Sequence, residues 1–422
     1  MSKEPIQYQA SCMDDYDPSS MDAAVAQKHI LDSVQAIEDV ETVTIRNALG
    51  RILASPISSE LDVPGHTNSA MDGYAVRSDD LPSAGTQRLK VIGTAFAGRP
   101  FTSAVAEQEC VRIMTGAVMP LGSDSVVMQE HVQREEDEIL IDDQQQAGQN
   151  VRLAGEDIAK GDFVFQSGRR LSPADIGLLA SLGIAEVCVI RKLKVAFFST
   201  GDELVSIGQP LASGQIYDSN RYTLWSMLSE LNIEVIDLGV VRDAPELVEQ
   251  AFKEAAAKAD VILTSGGVSV GEADFVKETL ASLGQVNFWK VAMKPGRPLA
   301  FGQVEQAYFF GLPGNPVSVM VTFYIFVQAA IEKMMGGEPR PRIRLQARCK
   351  NQLRKRAGRV EYQRGVFEVD ADGVYSVSKT GAQGSGILRS MSDANCFIFL
   401  PMESEGVAAD AMVEIWPFDS FR

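Results

Sequence analysis

The stretch VILTSGGVSVGEADFVK, residues 261–277, decides the fold, because an apolar run passes through a glycine-rich turn into a helix-forming segment. The glycines let the backbone approach a ligand closely, and N–H groups at a helix start attract anions. Glu272 and Asp274 stand beside this turn. Two carboxylates repel an anion unless a divalent cation lies between them, so the stretch predicts a phosphate site with Mg²⁺. Tight packing of a strand against a helix explains the same turn without a ligand, and that alternative stays open here.

Length and charge restrict the function of the chain. Its 422 residues exceed one ordinary domain, and its apolar content is enough for several buried cores. We therefore expect about three or four units. A formal net charge of -17 disfavours nucleic acid or an anionic membrane surface as the main partner, because both require basic faces.

Cysteine usage and hydropathy indicate the compartment. The five cysteines form no CxxC pair and show no metal-ligand spacing, so we expect a reduced, cytoplasmic protein. The N-terminal sequence MSKEPIQYQA contains no apolar run of a secretion signal. The most apolar stretch, residues 319–331, is shorter than the roughly 20 residues that span a bilayer. It predicts a buried core helix.

Strand-like and helix-like segments alternate after Lys192, as in LKVAFFS, NRYTLWSMLSEL, IEVIDLG, PELVEQAFKEAAAKA and DVILTS. This alternation predicts an α/β domain with a doubly wound parallel sheet, whose ligands bind at the carboxyl ends of the strands. STGDEL at 199–204 and Asp243 fall at such ends. GLPGNPVSV at 311–319 adds a second anion-binding helix start, where Asn315 can cap the helix and Pro316 fits its first turn.

Two further regions favour β-structure. Short β-like runs separated by Gly, Pro and acidic turns fill residues 61–143 and predict a β-rich module. Strand periodicity returns after Pro339 and fits a terminal β-barrel or sandwich. Between 340 and 364 basic residues outnumber the single acid Glu361, and we interpret Arg354, Lys355 and Arg356 as a solvent-exposed face.

Basic groups near the glycine-rich turn fit an anionic substrate. If VNFWKVAMKPG is one strand running into a loop, its period of two places Lys290 and Lys294 on the same face. Two ammonium groups there would repel one another without an anion between them. Arg297 follows and offers a further donor to phosphate.

Acidic residues near predicted strand ends supply the counterpart. Asp218 precedes a helix and is interpreted as a cap, whereas Glu203 and Asp243 have no obvious capping duty. The three histidines match no zinc motif, and no serine lies in a nucleophile elbow, so covalent catalysis has little support. The acidic candidates are Asp202, Glu203, Asp218, Asp243, Glu272 and Asp274.

The order of the motifs resembles the MoeA family, the molybdopterin molybdenumtransferases, to which the E domain of gephyrin is related. The resemblance covers nearly the whole chain after the first twenty or so residues. No counterpart is assigned to QYQASCMDDYDPSS, and His66 stands where the motif often has an aromatic residue. The motifs are DVPGHTNSAMDGYAVR (62–77), RIMTGAVMP (112–120), GEDI (155–158), FSTGDEL (198–204), IYDSNR (216–221), SGGVSVGEADFVK (265–277), KPGRP (294–298), GLPGNPVSV (311–319), QRG (363–365) and QGSG (383–386).

This resemblance implies a multidomain α/β fold with a doubly wound MogA-like domain, a β-rich insert, an elongated discontinuous α+β domain and a C-terminal β-barrel. It also implies a homodimer with the site between subunits. The expected division is an N-terminal extension at 1–18 that we expect to be flexible, an elongated domain at 19–60 and 144–190, an insert at 61–143, the doubly wound domain at 191–338 and the β domain at 339–422.

The implied reaction takes adenylylated molybdopterin and molybdate, releases AMP and leaves molybdenum on the dithiolene with the help of Mg²⁺. The adenylyltransferase that supplies the pterin nucleotide is a further expected partner. Carried over by motif position, the catalytic residues are Asp72, Thr115, Glu203, Asp243, Asp274, Lys290, Lys294, Arg364 and Ser385, of which Glu203, Asp243 and Asp274 are the metal candidates. The expected substrate-binding residues are Gly266, Gly267, Ser269, Gly271, Arg297, Pro313, Gly314, Asn315 and Pro316.

Two other functions remain as alternatives. The adenylylation step uses the same strand–turn–helix cradle in MogA-type domains, but the insert and β-domain motifs argue against it. A non-catalytic, gephyrin-like scaffold is the second alternative, and it is disfavoured because the chain has neither a long linker nor a second fused domain.

Overall fold

The computed structural model describes residues 20–266, 279–280, 282–337, 339 and 341–421. The chain divides into two compact units, one at Thr42–Val189 and the other formed by Met1–Glu41 together with Ile190–Arg422. The predicted N-terminal extension lies outside the described residues. So do five predicted site positions: Gly267, Ser269, Gly271, Glu272 and Asp274.

The Thr42–Val189 unit contains a six-stranded sheet, so the β-rich character expected for 61–143 is confirmed. Both faces of its strand Gly73–Val76 are buried, because Tyr74 and Val76 join one apolar cluster and Ala75 joins another. Cys110 is fully buried in the sheet. Across the sheet the strands are Ser125–Met128, Gly73–Val76, Glu109–Ile113, Thr86–Ala95, Glu138–Asp142 and Gln133–Glu135.

The rest of this unit is built from short elements around a core of Leu53, Phe165 and Leu179. Its helix Pro173–Ser181 begins with a capping box formed by Ser172 and Asp175. The short strands are Val40–Thr44, Ile57–Ser58, Asn68–Ser69, Val151–Arg152, Phe163–Phe165 and Glu186–Ile190, and single 3₁₀ turns lie at Ile45–Asn47, Ser78–Asp80 and Gln129–His131.

The second unit contains a six-stranded sheet with helices on both faces. Helix Ser219–Ser229 packs on the face that carries Phe197, and helix Pro245–Lys258 packs on the face that carries Phe198. The first four strands are parallel and the last two antiparallel, so the predicted doubly wound fold is confirmed and two antiparallel strands are added. Across the sheet the strands are Glu234–Val241, Lys194–Thr200, Val261–Ser265, Ala307–Leu312, Pro298–Val304 and Gly284–Lys290.

A long apolar helix supports this sheet. It runs through Pro316–Thr322, a π-helical stretch at Phe323–Val327 and Gln328–Met334. Within the part of the chain that the structure describes, this is the one helix long and apolar enough to cross a membrane, but 89% of its most apolar window is buried inside the protein. Core helices of soluble proteins satisfy the same criterion. The predicted core helix is therefore confirmed.

The C-terminal region forms a closed β-barrel, because Val360–Val369 pairs with both of its neighbours, Tyr375–Lys379 and Cys396–Leu400. Ala347, Val377 and Ile398 fill the interior. The five barrel strands are Leu345–Cys349, Val360–Val369, Tyr375–Lys379, Cys396–Leu400 and Met412–Pro417. Smaller elements in this second unit are helix Ala23–Ser33, strands Leu204–Val205, Ile216–Tyr217, Met293–Lys294, Leu353–Arg354 and Gly406–Val407, helix Arg389–Ser392 and the 3₁₀ turn Phe418–Phe421.

The basic face predicted at 354–356 is wrong at Lys355. Arg354 and Arg356 are exposed, but Lys355 is buried. Its Nζ donates to the carbonyl oxygens of Arg356, Met402 and Ser404 at 2.9–3.2 Å. Burial lowers the pKa of this ammonium group. Lys355 therefore closes a loop of the barrel region.

Candidate functional site

Three carboxylates lie at the carboxyl ends of two adjacent parallel strands. Asp202 and Glu203 follow Lys194–Thr200, and Asp243 follows Glu234–Val241. The backbone N–H of Asp243 donates to Asp202 Oδ1 at 3.3 Å. The pKa of Asp243 is raised by loss of hydration and by the negative charges of Asp202 and Glu203. The three carboxylates therefore place negative charge at this edge of the sheet.

The backbone turn at Gly201 positions the Glu203 carboxylate. Gly201 has φ +151°, and a Cβ atom built there would lie 2.7 Å from Glu203 Oε2 and 2.8 Å from Oε1. A larger residue would push the carboxylate away from the turn. The glycine of the STGDEL motif thus positions an acid as well as bending the chain.

Glu203 and Asp243 are the described residues that could hold Mg²⁺. This ion typically uses one or two protein carboxylates and completes its shell with phosphate oxygens and water. Glu203 and Asp243 supply that number, and the charges of Asp202 and Glu203, after the loss of hydration, contribute to the raised pKa of Asp243. Over the described ranges, no group of three or more His, Cys, Asp or Glu side chains is arranged as a metal cage. Asp274, the third predicted ligand, lies outside these ranges.

The two predicted anion turns begin at neighbouring strand ends. Gly266 has φ +92°, and its N–H donates to Leu312 O at 3.1 Å. A Cβ atom there would lie 2.9 Å from Thr200 O, so only glycine allows this close approach of two strand ends. Pro313 and Gly314 follow the adjacent strand Ala307–Leu312.

The helix start after Gly314 differs in one respect from the prediction. Pro316 occupies the first helical position as expected, but the Asn315 side chain makes no capping hydrogen bond. The carbonyl of Ser385 accepts from Val317 N at 3.0 Å instead. The predicted side-chain cap is wrong because a loop of the barrel region supplies the acceptor.

Asp218 and Asn220 hold the start of helix Ser219–Ser229. Asp218 caps it, accepting from Arg221 N at 3.1 Å, which confirms the predicted capping role. Asn220 Nδ2 donates to Ser265 Oγ at 2.8 Å and to Gly314 O at 2.7 Å. Sequence patterns gave no reason to single out Asn220, because its partners follow it by 45 and 94 residues.

The shared strand predicted for Lys290 and Lys294 is wrong. Lys290 ends the strand Gly284–Lys290, whereas Lys294 belongs to Met293–Lys294, which pairs in parallel with barrel strand Val360–Val369. The chain turns between them, and Val291 N donates to Arg297 O at 2.7 Å. The alternation of side chains along one strand therefore does not place Lys290 and Lys294 on the same face.

Lys294 instead lies beside the single acid of the basic stretch 340–364. Its Nζ is 3.8 Å from Glu361 Oε1, and Glu361 is buried. Gln363 Nε2 donates to the other carboxylate oxygen of Glu361 at 2.9 Å. A lone acid among bases was the one sequence signal that could have identified this partner.

Arg364 is buried with 1% of its surface exposed. Its guanidinium donates to Ser390 Oγ at 3.1 Å and to Gly384 O at 3.2 Å. Burial lowers its pKa to about 10, and the charge of Glu361 opposes that change. Arg364 thus holds the QGSG loop, whose Ser385 carbonyl meets the helix start described above.

Asp72 and Thr115 form a pair in the Thr42–Val189 unit. The backbone N–H and the Oγ1 of Thr115 both donate to Asp72 Oδ1 at 2.7 Å. These two bonds, followed by the charge of Arg112, lower the pKa of Asp72 despite slight desolvation. Both residues are exposed, so the fixed carboxylate faces solvent.

Three family models match almost the whole described chain in order. The MoeA N-terminal region (domain I and II) matches residues 20–183, a probable molybdopterin binding domain matches 196–333, and the MoeA C-terminal region (domain IV) matches 346–418. This chain belongs to the MoeA family of molybdopterin molybdenumtransferases.

Individual relatives agree with membership of the MoeA family. A molybdopterin molybdenumtransferase from Haemophilus influenzae is 47% identical over 93% of this chain and 98% of its own length. A gephyrin from Dictyostelium discoideum is 34% identical over 94% of this chain and 62% of its own length. The crystal structure of a molybdopterin biosynthesis moeA protein from Pyrococcus horikoshii OT3 has a TM-score of 0.82 and 31% identity, covering 94% of this chain and all of that one.

Within this MoeA-family chain, the predicted residues gather in separate groups. Glu203 and Asp243 share one sheet edge, Lys294 lies at Glu361, and Arg364 holds the loop of Ser385. Asp72 and Thr115 form their own pair in the other unit. The catalytic roles assigned to these residues stay predictions.

Proposed function

We propose that this transferase uses adenylylated molybdopterin and molybdate, releases AMP and leaves molybdenum on the dithiolene in a Mg²⁺-dependent reaction. The observation that carries the proposal is the concentration of Asp202, Glu203 and Asp243 at the sheet edge that also bears the Gly266 turn. Negative charge beside an anion-binding turn requires a cation between enzyme and substrate. Membership of the MoeA family supports the same substrates.

Different residues of the chain have different roles in the proposed reaction. Glu203 and Asp243, together with Asp274, would hold Mg²⁺ at the phosphoanhydride. The ion would contribute charge neutralisation and orientation of the substrate. Gly314 leaves room for phosphate oxygens close to the backbone, because a Cβ atom there would meet nothing within 4 Å, whereas the missing side chain of Gly266 makes room for Thr200.

The basic residues would bind the opposite end of the same anion. Lys290, Lys294 and Arg297 lie in or beside one turn of the chain, whose ends are joined by the Val291–Arg297 backbone bond. Their positive charges would attract the phosphates, which the carboxylates repel. Arg364 would act from within the barrel by holding the QGSG loop.

We further propose that the enzyme is a cytoplasmic homodimer whose active site takes residues from both subunits. Exposed apolar side chains on the second unit support association, since large exposed patches mark interaction sites. Tyr222 and Trp225 lie one helical turn apart on Ser219–Ser229, and Trp225 is 52% exposed. Ile216, close before the helix, is also exposed.

One assay tests the reaction against both alternatives. Purified enzyme is given adenylylated molybdopterin, molybdate and Mg²⁺ without ATP, and AMP is quantified. Molybdate-dependent AMP release supports molybdenum insertion. AMP-containing product that forms only from ATP and unmodified molybdopterin would establish an adenylyltransferase. No turnover in either mixture, with the protein folded, would favour the scaffold.

A further inference from the structure

The Asn220 side chain joins two separate strand ends of the α/β sheet. Both hydrogens of its amide group are used, one toward Ser265 Oγ and one toward Gly314 O. Ser265 immediately precedes Gly266, and Gly314 immediately precedes Asn315, the N-cap of the long core helix. One side chain therefore connects the two glycine turns.

The helix turn that carries Asn220 is held in place by its neighbours. Asp218, 2% exposed, caps the same helix, and Arg221 forms two hydrogen bonds to the Asp237 carboxylate at 2.8 and 2.9 Å. These contacts secure the first turn of the helix on the sheet. The amide of Asn220 consequently fixes the two strand ends relative to a rigid element.

Stabilising its own helix does not explain this arrangement. An asparagine near a helix start usually accepts hydrogen bonds from the backbone amides of that helix. Asn220 instead donates both of its amide hydrogens to groups outside the helix. The Asn220 side chain is 8% exposed, and within the described part of the chain its buried Oδ1 has no hydrogen-bond partner. A buried acceptor without a partner costs stability, so helix stabilisation alone does not account for this side chain.

We propose that Asn220 is a positioning residue for anion binding, which sets the separation of the Ser265–Gly266 and Gly314 strand ends so that one phosphate-bearing ligand contacts both. This inference rests on the proposed function, which assigns phosphate binding to these turns. Asn220 acts through Ser265 and Gly314 and touches no ligand itself. Asparagine suits the task because its amide presents two hydrogens in one plane.

The test compares Asn220→Ala with Thr223→Ala on the full-length protein. Thr223 Oγ1 donates to Ser219 O at 2.9 Å in the same helix, so its loss perturbs the helix without releasing either strand end. Binding of inorganic pyrophosphate with Mg²⁺ is measured by titration calorimetry, together with the melting temperature. We expect Kd to rise about tenfold in Asn220→Ala and to stay unchanged in Thr223→Ala.

Activity supplies a second measurement. A positioning role predicts that Asn220→Ala raises KM for adenylylated molybdopterin more than it lowers kcat. Equal losses of pyrophosphate affinity in the two variants, or no loss in Asn220→Ala, would overturn the inference and leave the proposed function intact. If the wild-type protein does not bind pyrophosphate, the phosphate-binding turns and this inference are both overturned.

A second variant keeps the test decisive if Asn220→Ala does not fold. Ser265→Ala removes one acceptor and leaves the bond to Gly314 in place. We expect a smaller rise in Kd, about threefold. Where Asn220→Ala does fold, adding Ser265→Ala to it should cause no further rise in Kd, because the bond to Ser265 Oγ is already lost. Unchanged Kd in folded Ser265→Ala would overturn the inference by itself.

Discussion

Asp72 and Asp243 are two aspartates of one predicted site, and their surroundings move their pKa values in opposite directions. Two hydrogen bonds from Thr115 lower the pKa of Asp72. Loss of hydration and the charges of Asp202 and Glu203 raise the pKa of Asp243. The anionic form of the first carboxylate is stabilised by hydrogen bonds within its own unit, whereas the anionic form of the second is disfavoured by burial and by its acidic neighbours.

This difference suits the two aspartates to different proposed tasks. A carboxylate that already accepts two hydrogen bonds is fixed in orientation and suits contact with a neutral or cationic part of a ligand. A carboxylate that is destabilised by its neighbours suits a metal ion, because the ion relieves the repulsion. The sequence shows only two aspartates, one inside the motif at 62–77 and one after a predicted strand, and their surroundings in the structure distinguish them.

The largest expected effect comes from separating the two aspartates between subunits. Asp72→Ala and Asp243→Ala should each give a folded homodimer with almost no activity. If each site takes Asp72 from one chain and Asp243 from the other, a mixed dimer has one site with both defects and one intact site. Dissociating and reassociating an equimolar mixture should restore about a quarter of wild-type activity, because about half the dimers are mixed and each has one working site.

Mass spectrometry verifies that mixed dimers have formed. A mixture of two separately prepared Asp72→Ala samples, treated in the same way, is the matched control and should stay inactive. If mixed dimers are present and activity remains at the level of the single variants, both aspartates act within one chain.

The next effect concerns the two lysines that are predicted to bind phosphate. Lys290→Ala and Lys294→Ala should each weaken binding of the pterin nucleotide by about 1–3 kcal/mol, the value of a charge-assisted contact, and the loss should shrink as salt rises. Lys258→Ala, which removes an exposed lysine paired with Glu254 in a helix, is the control. Equal affinity of all three variants and wild type at low salt would remove both lysines from the site.

Local patterns predicted the elements of this fold well, but they did not predict the contacts between distant residues. The strands and helices that alternate after Lys192, and the Asp218 cap, follow from sequence neighbours. Lys294 leaves the expected strand because Val360–Val369 offers it another partner strand. Lys355 is buried because carbonyls more than forty residues away surround its Nζ. Such long-range pairings depend on tertiary packing, which periodicity does not encode.

A smaller effect tests the raised pKa of Asp243. Asp202→Asn removes one neighbouring negative charge and should lower the Asp243 pKa toward its ordinary value. The acid limb of Mg²⁺ binding, followed by calorimetry across pH, should then move to lower pH, because Asp243 stays ionised in more acidic solution. Glu254→Gln, on the exposed face of helix Pro245–Lys258, should leave the limb in place. A limb that does not move in Asp202→Asn would show that Mg²⁺ binding does not depend on Asp243 ionisation.

The smallest effect is expected at Asp72, because Thr115→Val removes only one of its two hydrogen bonds and leaves the backbone N–H of residue 115 in place. A lowered folded-state pKa contributes stability above the unfolded-state value, near the ordinary 3.8, and that contribution is lost as pH falls through the folded-state pKa. Asp72 in the variant should therefore be less ionised than in wild type in the acidic range around and below that value. At neutral pH the two should be equally ionised. Carboxyl carbon NMR should show the Asp72 pKa rising part of the way toward its ordinary value in Thr115→Val and remaining unchanged in Thr115→Ser, which keeps the hydroxyl. A rise of the same size in both variants would show that the threonine methyl group, and not the hydroxyl bond, controls Asp72, and the contrast with Asp243 would then lose half of its physical basis.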